Sequence, residues 1–258
     1  MITHKNISLF FIFLLLLLVL LNFYTAINLL WFIAIVLIWL GINAFGSAQI
    51  SSNYHVKAFC NNPLETEKKI AITFDDGPSE FTLEVLALLK KYDVKATFFC
   101  IGKNIEAHPE ILKQIILEGH LVGNHSYSHS PFFDFYNAKK IKTEIQKTDD
   151  LLEKFTSKKI NFFRPPYGVT TPSIRRALKI TGHKVIGWNI RSLDGGTKNQ
   201  SLIFNRIIKR VSPGGIVLLH DTASHSVLVL EQFLQFLQQN NYEVISIEEL
   251  LSLNAYEI

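Results

Sequence analysis

Residues 70–74 read Ile70-Ala71-Ile72-Thr73-Phe74, and Asp75-Asp76-Gly77-Pro78 follows at once. A short apolar run bounded by a turn fits a strand buried on both faces, the habit of a parallel sheet. Asp-Gly-Pro is turn chemistry, so one reading of Asp75 and Asp76 is simply turn and cap residues. Two adjacent carboxylates also repel unless one of them meets a cation or a proton. The second reading is therefore an acid pair at a chemical site.

The same alternation continues through the chain. Strands are expected at residues 97–101, 121–123, 161–163, 184–188, 216–219 and 243–246, with amphipathic helices at 81–92, 109–118, 137–155, 173–180, 201–210 and 227–240. Pro109 and Pro172 suit a first helical turn, and Gly119 and Gly182 suit helix ends. About seven strand–helix repeats predict an α/β fold with a parallel sheet closed, or nearly closed, into a (β/α) barrel.

The 258 residues carry 26 Lys+Arg and 22 Asp+Glu, a net charge of +4, but only Lys5 among these charges precedes His55. The mean hydropathy of +0.20 and pI near 8.9 thus average two different polymers. A 48% hydrophobic content excludes a disordered chain. Evenly mixed charges give no nucleic-acid signature. Two cysteines, Cys60 and Cys100, exclude a disulfide-dense scaffold and are expected to be buried, inert thiols.

Residues 7–46 hold no charge at all. Forty helical residues would span about 60 Å, twice a ~30 Å hydrocarbon core. The polar break Asn22-Phe23-Tyr24-Thr25 predicts two short membrane helices, near residues 7–23 and 26–45, with Trp31 and Trp39 as interfacial anchors. Residues 1–50 are thus expected to form a membrane anchor and 53–258 a catalytic domain, with a short polar join at 46–53. One lysine does not fix the topology.

Polar clusters follow the expected strands: Asp75-Asp76, then His125 and His129, then Arg164-Pro165-Pro166-Tyr167-Gly168, then Arg191 and Asp194, then His220-Asp221. In a β/α barrel such strand ends converge on one mouth. A single H-x-x-x-H is common on surfaces, but on a helical turn His125 and His129 would share a face and grip one ion. One Asp and two His meet the ligand count of a catalytic zinc site, and the same donors suit other divalent metals.

These segments resemble the polysaccharide deacetylase family, also called the NodB-homology domain or carbohydrate esterase family 4. T-F-D-D-G-P at Thr73 to Pro78, H-S-Y-S-H at His125 to His129, R-P-P-Y-G at Arg164 to Gly168 and L-L-H at Leu218 to His220 appear in the family's order, over roughly residues 68–253. The resemblance implies a distorted (β/α) barrel of seven or eight strands. It implies one divalent ion, Zn²⁺ or else Co²⁺, Ni²⁺ or Mn²⁺, on Asp76, His125 and His129. It implies Asp75 as general base, His220 as general acid, Arg164 paired with Asp75, Asp194 orienting His220, and the Tyr167 N–H at the oxyanion. The fourth segment departs: where the family commonly has W-x-x-D-x-x-D-W, this chain has Arg191 for the first Asp and Gly195 for the last Trp.

The expected function is a membrane-anchored hydrolase removing N-acetyl groups from an amino-sugar glycan, peptidoglycan or chitin-like, outside the cytoplasmic membrane. Two alternatives stand beside it. One is a deformylase or deacylase of a lipid-linked sugar; the other is a non-catalytic carbohydrate-binding membrane protein. The aromatic run Phe132, Phe133, Phe135 and Tyr136 suits either a sugar subsite or packing under a loop.

Overall fold

The computed structural model describes residues 3–257. It begins with two apolar helices, α1 (His4–Asn22) and α2 (Leu29–Ala48), folded back on each other as a hairpin. Their mean hydropathies are 2.3 and 2.2, and each is long and apolar enough to cross a membrane. Only Phe11 on α1 and Gly46 on α2 are buried. Asn22 ends α1 by accepting from the Ile27 N–H at 3.0 Å, and Asn28 caps α2 by accepting from Leu30 at 2.9 Å. Both helices therefore sit about three residues from their expected bounds. Trp39 is not at an end: it lies mid-way along α2, stacked on Phe11 at 6.4 Å between ring centroids.

The expected polar join is packed rather than loose. Ile50 is buried in a core cluster with Ala58 and Cys60. The Tyr54 ring fills the space beside Gly46 and donates its hydroxyl to Asn43 Oδ1 at 3.1 Å. The Ser47 hydroxyl meets His55 Nε2 at 2.9 Å, and the His4 N–H bonds the Tyr54 carbonyl at 3.0 Å. These contacts splice both domain-facing ends of the hairpin onto the domain.

That domain is a curled parallel half-barrel. Its strands are β1 (Ala58–Phe59), β2 (Lys69–Asp75), β3 (Thr97–Cys100), β4 (Leu121–Asn124), β5 (Lys159–Ile160), β6 (Phe162–Phe163), β7 (Lys184–Ile186), β8 (Ile190–Arg191), β9 (Gly215–His220), β10 (Glu243–Val244) and β11 (Tyr256–Glu257). The main order is β1-β7-β6-β4-β3-β2-β9-β8, with β10 added beside the first residues of β2, and β5 and β11 forming a separate antiparallel pair. Among the described residues no ladder joins β1 or β7 to β8; a single antiparallel bridge runs from Asn61, just past β1, to Gly215 at the start of β9. The expected strand at 184–188 stops at Ile186, because Arg164 takes the carbonyls of Ile186 and Gly187 that a neighbouring strand would use.

Helices α3 (Thr82–Lys91), α4 (Gly102–Ala107), α5 (Pro109–Leu117), α6 (Ala138–Thr156), α7 (Pro172–Thr181), α8 (Gln200–Ile208), α9 (Ser224–Gln239) and α10 (Ile247–Leu251) accompany the sheet. Thr171 caps α7 ahead of Pro172, and Gly182, at φ = 81°, ends it. Ile70, Ile72 and Phe74 of β2 pack outward with residues of α3 and α9, each burial stabilising by about 1.5–3 kcal/mol. The opposite row begins at Ala71, packed inside with Phe99, Phe162, Ile186 and Ile216. Period-two alternation therefore carries the inner row through Thr73 to Asp75 at the mouth.

Candidate metal centre and catalytic cleft

Strand register delivers the first two groups together. Asp75 at the end of β2 is the pairing partner of His220 at the end of β9. Asp76 follows in the left-handed region at φ = 73°, a conformation Asp tolerates better than most residues. Its carbonyl is held by Asn104 Nδ2 at 2.7 Å.

Asp76 Oδ1 lies 3.4 Å from His125 Nε2 and 3.3 Å from His129 Nε2. One donor atom from each of the three residues falls within 4.8 Å of the others. The histidines do not sit on the expected helical turn. They sit on a loop with Ser126 at φ = 65° and His129 at φ = 44°, which brings the ring centroids to 4.9 Å. His125 Nδ1 is 2.7 Å from the Arg164 carbonyl, an acceptor only, so Nδ1 carries the proton and Nε2 presents its lone pair. Asp76 Oδ1 is buried with no hydrogen-bond partner among the described residues. Burial works against its charge, but His125, His129 and His220, when protonated, outweigh this and hold the carboxyl well below the usual range. An orphaned carboxylate oxygen facing the His125 lone pair and the His129 ring nitrogen fits a divalent cation.

Asp75 is 3% exposed and Arg164 is 0% exposed. Arg164 Nη1 donates to Asp75 Oδ1 at 2.7 Å and to the Thr73 hydroxyl at 2.8 Å, while Nε and Nη2 take the two β7-end carbonyls. Its plane lies over Phe99 at 4.1 Å. These bonds fix the guanidinium on Asp75 Oδ1 and leave Asp75 Oδ2 directed to the His125 side, 3.8 Å from Nε2.

On the other side, His220 Nδ1 lies 2.7 Å from Asp194 Oδ1, and the His220 N–H donates to Asp194 Oδ2 at 2.8 Å. Ser192, Ser226 and the Gly195 N–H also donate to this carboxylate. Burial disfavours the imidazolium, but Asp194 overrides it and His220 is pushed up to about 9. His220 Nε2 remains free, 3.8 Å from Asp76 Oδ2.

A sequence profile described as polysaccharide deacetylase matches residues 64–186. A peptidoglycan-N-acetylglucosamine deacetylase of Bacillus cereus is 36% identical over 200 residues, covering 70% of this chain and 72% of that protein. The chain belongs to the polysaccharide deacetylase family. The peptidoglycan-N-acetylmuramic acid deacetylase PdaA of Bacillus subtilis is 32% identical over 190 residues, covering 72% of each. A crystal structure of a peptidoglycan N-acetylglucosamine deacetylase with a bound N-hydroxybenzamide superposes with TM-score 0.71 at 30% identity, covering 78% of this chain and 94% of that one.

The polysaccharide deacetylase cleft has a volume of about 270 Å³ and is walled by Tyr167, Trp188, Arg191, Leu193 and Gly195. Tyr167 has φ = 58° and its N–H has no backbone acceptor among the described residues. Its ring meets His129 edge-on at 4.7 Å. Gly168, at φ = 70°, lets Trp188 approach so closely that a Cβ would lie 2.4 Å from the indole. Arg191, on β8 rather than the expected loop, lies over Trp188 at 5.6 Å. A Cβ on Gly195 would meet His220 Cε1 at 3.6 Å, so this chain leaves the imidazole uncovered where the family commonly has Trp.

Sequence reading missed the roles of Thr73, Ser192 and Ser226, and noted Asp221 only as one of the polar residues at the end of its strand. Thr73 is the one polar residue inside an otherwise apolar strand, and that anomaly was its signal. Asp221 carries the Thr82 hydroxyl on Oδ2 at 2.5 Å, sits against Gly77, and accepts Ser79 on its carbonyl. It thereby pins the turn after Asp76. The aromatic run divides: Phe133 is core, whereas Phe132 and Phe135 are exposed. Cys60 and Cys100 are free and buried, and burial pushes the Cys60 thiol up to about 11.

Proposed function

We propose that this glycan deacetylase is a metal-dependent N-deacetylase of peptidoglycan amino sugars, held at the bilayer by α1 and α2 with its domain outside the cytoplasmic membrane. One observation carries the reading: a three-donor cluster, Asp76, His125 and His129, lies between Asp75–Arg164 on one side and His220–Asp194 on the other. The external placement is supported by the cell-wall substrates in the relatives' names.

A divalent ion held by Asp76, His125 and His129 supplies Lewis acidity, lowering the pKa of water and polarising the amide carbonyl. Asp75 accepts the proton of the attacking water. Arg164 fixes that carboxylate in orientation. The Tyr167 N–H donates to the developing oxyanion, a contribution of the order of 3–4 kcal/mol for a preorganised donor. His220, kept protonated by Asp194, delivers its Nε2 proton to the departing amine from the opposite side. Two acid/base groups held apart by their own partners let one proton arrive while the other leaves.

A lipid-linked amino sugar is the second reading. It is favoured by the Thr170 N–H bonding the Ser47 carbonyl at 3.0 Å, which ties the loop of Tyr167 to the end of α2. Incubating the metal-loaded full chain with N-acetylglucosamine oligomers, with peptidoglycan and with a lipid-linked N-acyl amino sugar, and measuring the released acid, separates the two. Acetate from either of the first two supports the first reading. Release of acyl groups only from lipid-linked sugars supports the second, and no release from any amide overturns both.

A further inference from the structure

The deacetylation cleft leaves unused a concentration of positive charge where α1 meets α7. Arg175, Arg176 and Lys179 lie on the outer face of α7, and Lys5 lies in the first turn of α1. Two adjoining grooves of about 500 and 480 Å³ share Lys5, His55, Arg175 and Lys179. No carboxylate among the described residues lines either groove. Among the described residues the side chains of Lys5, Arg175 and Lys179 have no hydrogen bond or ion pair within the protein. Like charges gathered without a counter-ion repel, and an anion from outside the chain relieves this.

The second wall identifies the anion. The groove passes from Lys5 along Ser8 and Leu9 to Ile12 on α1. Leu9 and Ile12 are 57% and 46% exposed. From Lys5 to Ile12 the helix rises about 10 Å, which takes the wall from headgroup depth into the acyl region. A basic floor at the membrane surface above an apolar wall suits an amphiphile with a phosphate head better than a soluble anion.

Building on the reading of α1 and α2 as a membrane hairpin, we propose that the groove between α1 and α7 binds an anionic phospholipid, its phosphate among Lys5, Arg175 and Lys179 and its acyl chains along Leu9 and Ile12. The lipid seats the domain on the bilayer. Residues 164–171 run directly from the cleft to α7, so the same contact sets the height of the cleft mouth above the membrane.

The full chain in detergent micelles, titrated with phosphatidylglycerol or phosphatidylcholine and read by native mass spectrometry, tests this. The expected result is at least tenfold tighter binding of phosphatidylglycerol, weakened about 25-fold in Arg175→Ala/Lys179→Ala, or about fivefold per cation removed. The charge-matched variant Lys209→Ala/Arg210→Ala keeps the wild-type preference, and both variants keep wild-type turnover of a soluble substrate. Equal affinity for the two lipids, an unchanged preference in the α7 variant, or complete displacement by millimolar inorganic phosphate alone would overturn the proposal. Association with pure phosphatidylcholine vesicles is measured in parallel: its loss refutes the membrane hairpin, whereas its retention without headgroup preference refutes only the lipid groove.

Discussion

Arg164 donates from Nη1 to Asp75 Oδ1 across 2.7 Å, and both side chains are shut away from solvent. A buried charge of either sign is tolerated only with its partner in place. Arg164→Ala should therefore leave Asp75 uncompensated and destabilise the fold by about 3–5 kcal/mol, with activity lost as well. Chemical denaturation of variant and wild type checks this; a variant of unchanged stability would mean that the pair does not act as a unit.

The pairing of His220 with Asp194 makes a prediction about pH. Asp194 raises the folded-state pKa of His220, so His220 stays protonated through neutral pH; in its proposed role as general acid, activity should fall as pH rises through that pKa. Asp194→Asn removes the charge and should move the alkaline limb of kcat/KM to lower pH while reducing the rate. An unmoved limb would assign it to a different group.

Asp221 makes no hydrogen bond to Asp75, Asp76 or His220 among the described residues, and its pH signature appears in stability. Burial, only partly offset by the Thr82 hydroxyl, pushes its carboxyl up to about 7. The folded state therefore binds a proton more tightly than the unfolded chain, whose aspartates titrate near ~3.9. Stability from this group is fully present below ~4 and is lost as pH rises through about 7. Asp221→Asn should flatten the stability profile between those limits by roughly 2–4 kcal/mol, read from denaturation midpoints at several pH values. Identical slopes in both proteins would contradict the assignment.

Gly168 tests the wall of the cleft. It combines φ = 70° with an indole atom 2.4 Å from where a Cβ would stand. Gly168→Ala should cost about 1–3 kcal/mol and displace Trp188, lowering turnover without removing a catalytic group. Retained stability together with retained kcat would show the contact to be slack.

Most of the fold was legible because buried parallel strands leave continuous apolar runs and their helices leave periodic ones. Ile70 to Phe74 announced β2, and Pro172 with Gly182 bracketed α7. The two-residue strands β1 and β8 carry no pattern long enough to detect, and β7 ends early because of a residue 22 positions upstream, Arg164. At the site, Asp75, Asp76, His125, His129 and His220 stood out as polar groups where apolar strands end. The loop conformation of His125 and His129 did not, because left-handed φ at Ser126 is imposed by tertiary packing and not by local propensity. The donors that saturate Asp194 come from Ser192 and Ser226, separated by a strand and helix, and serines are too common to signal such a meeting.

The central claim separates metal holding, by Asp76, His125 and His129, from proton removal, by Asp75. Bound metal and acetate release should be measured on the same preparations of the full chain and of Asp75→Asn. The account predicts one divalent ion per chain in both, wild-type turnover that chelation abolishes and metal restores, and a loss of about 10²–10⁴-fold in the metal-filled variant. A metal-filled Asp75→Asn that releases acetate at the wild-type rate, or a wild type fully active after metal removal, would contradict it.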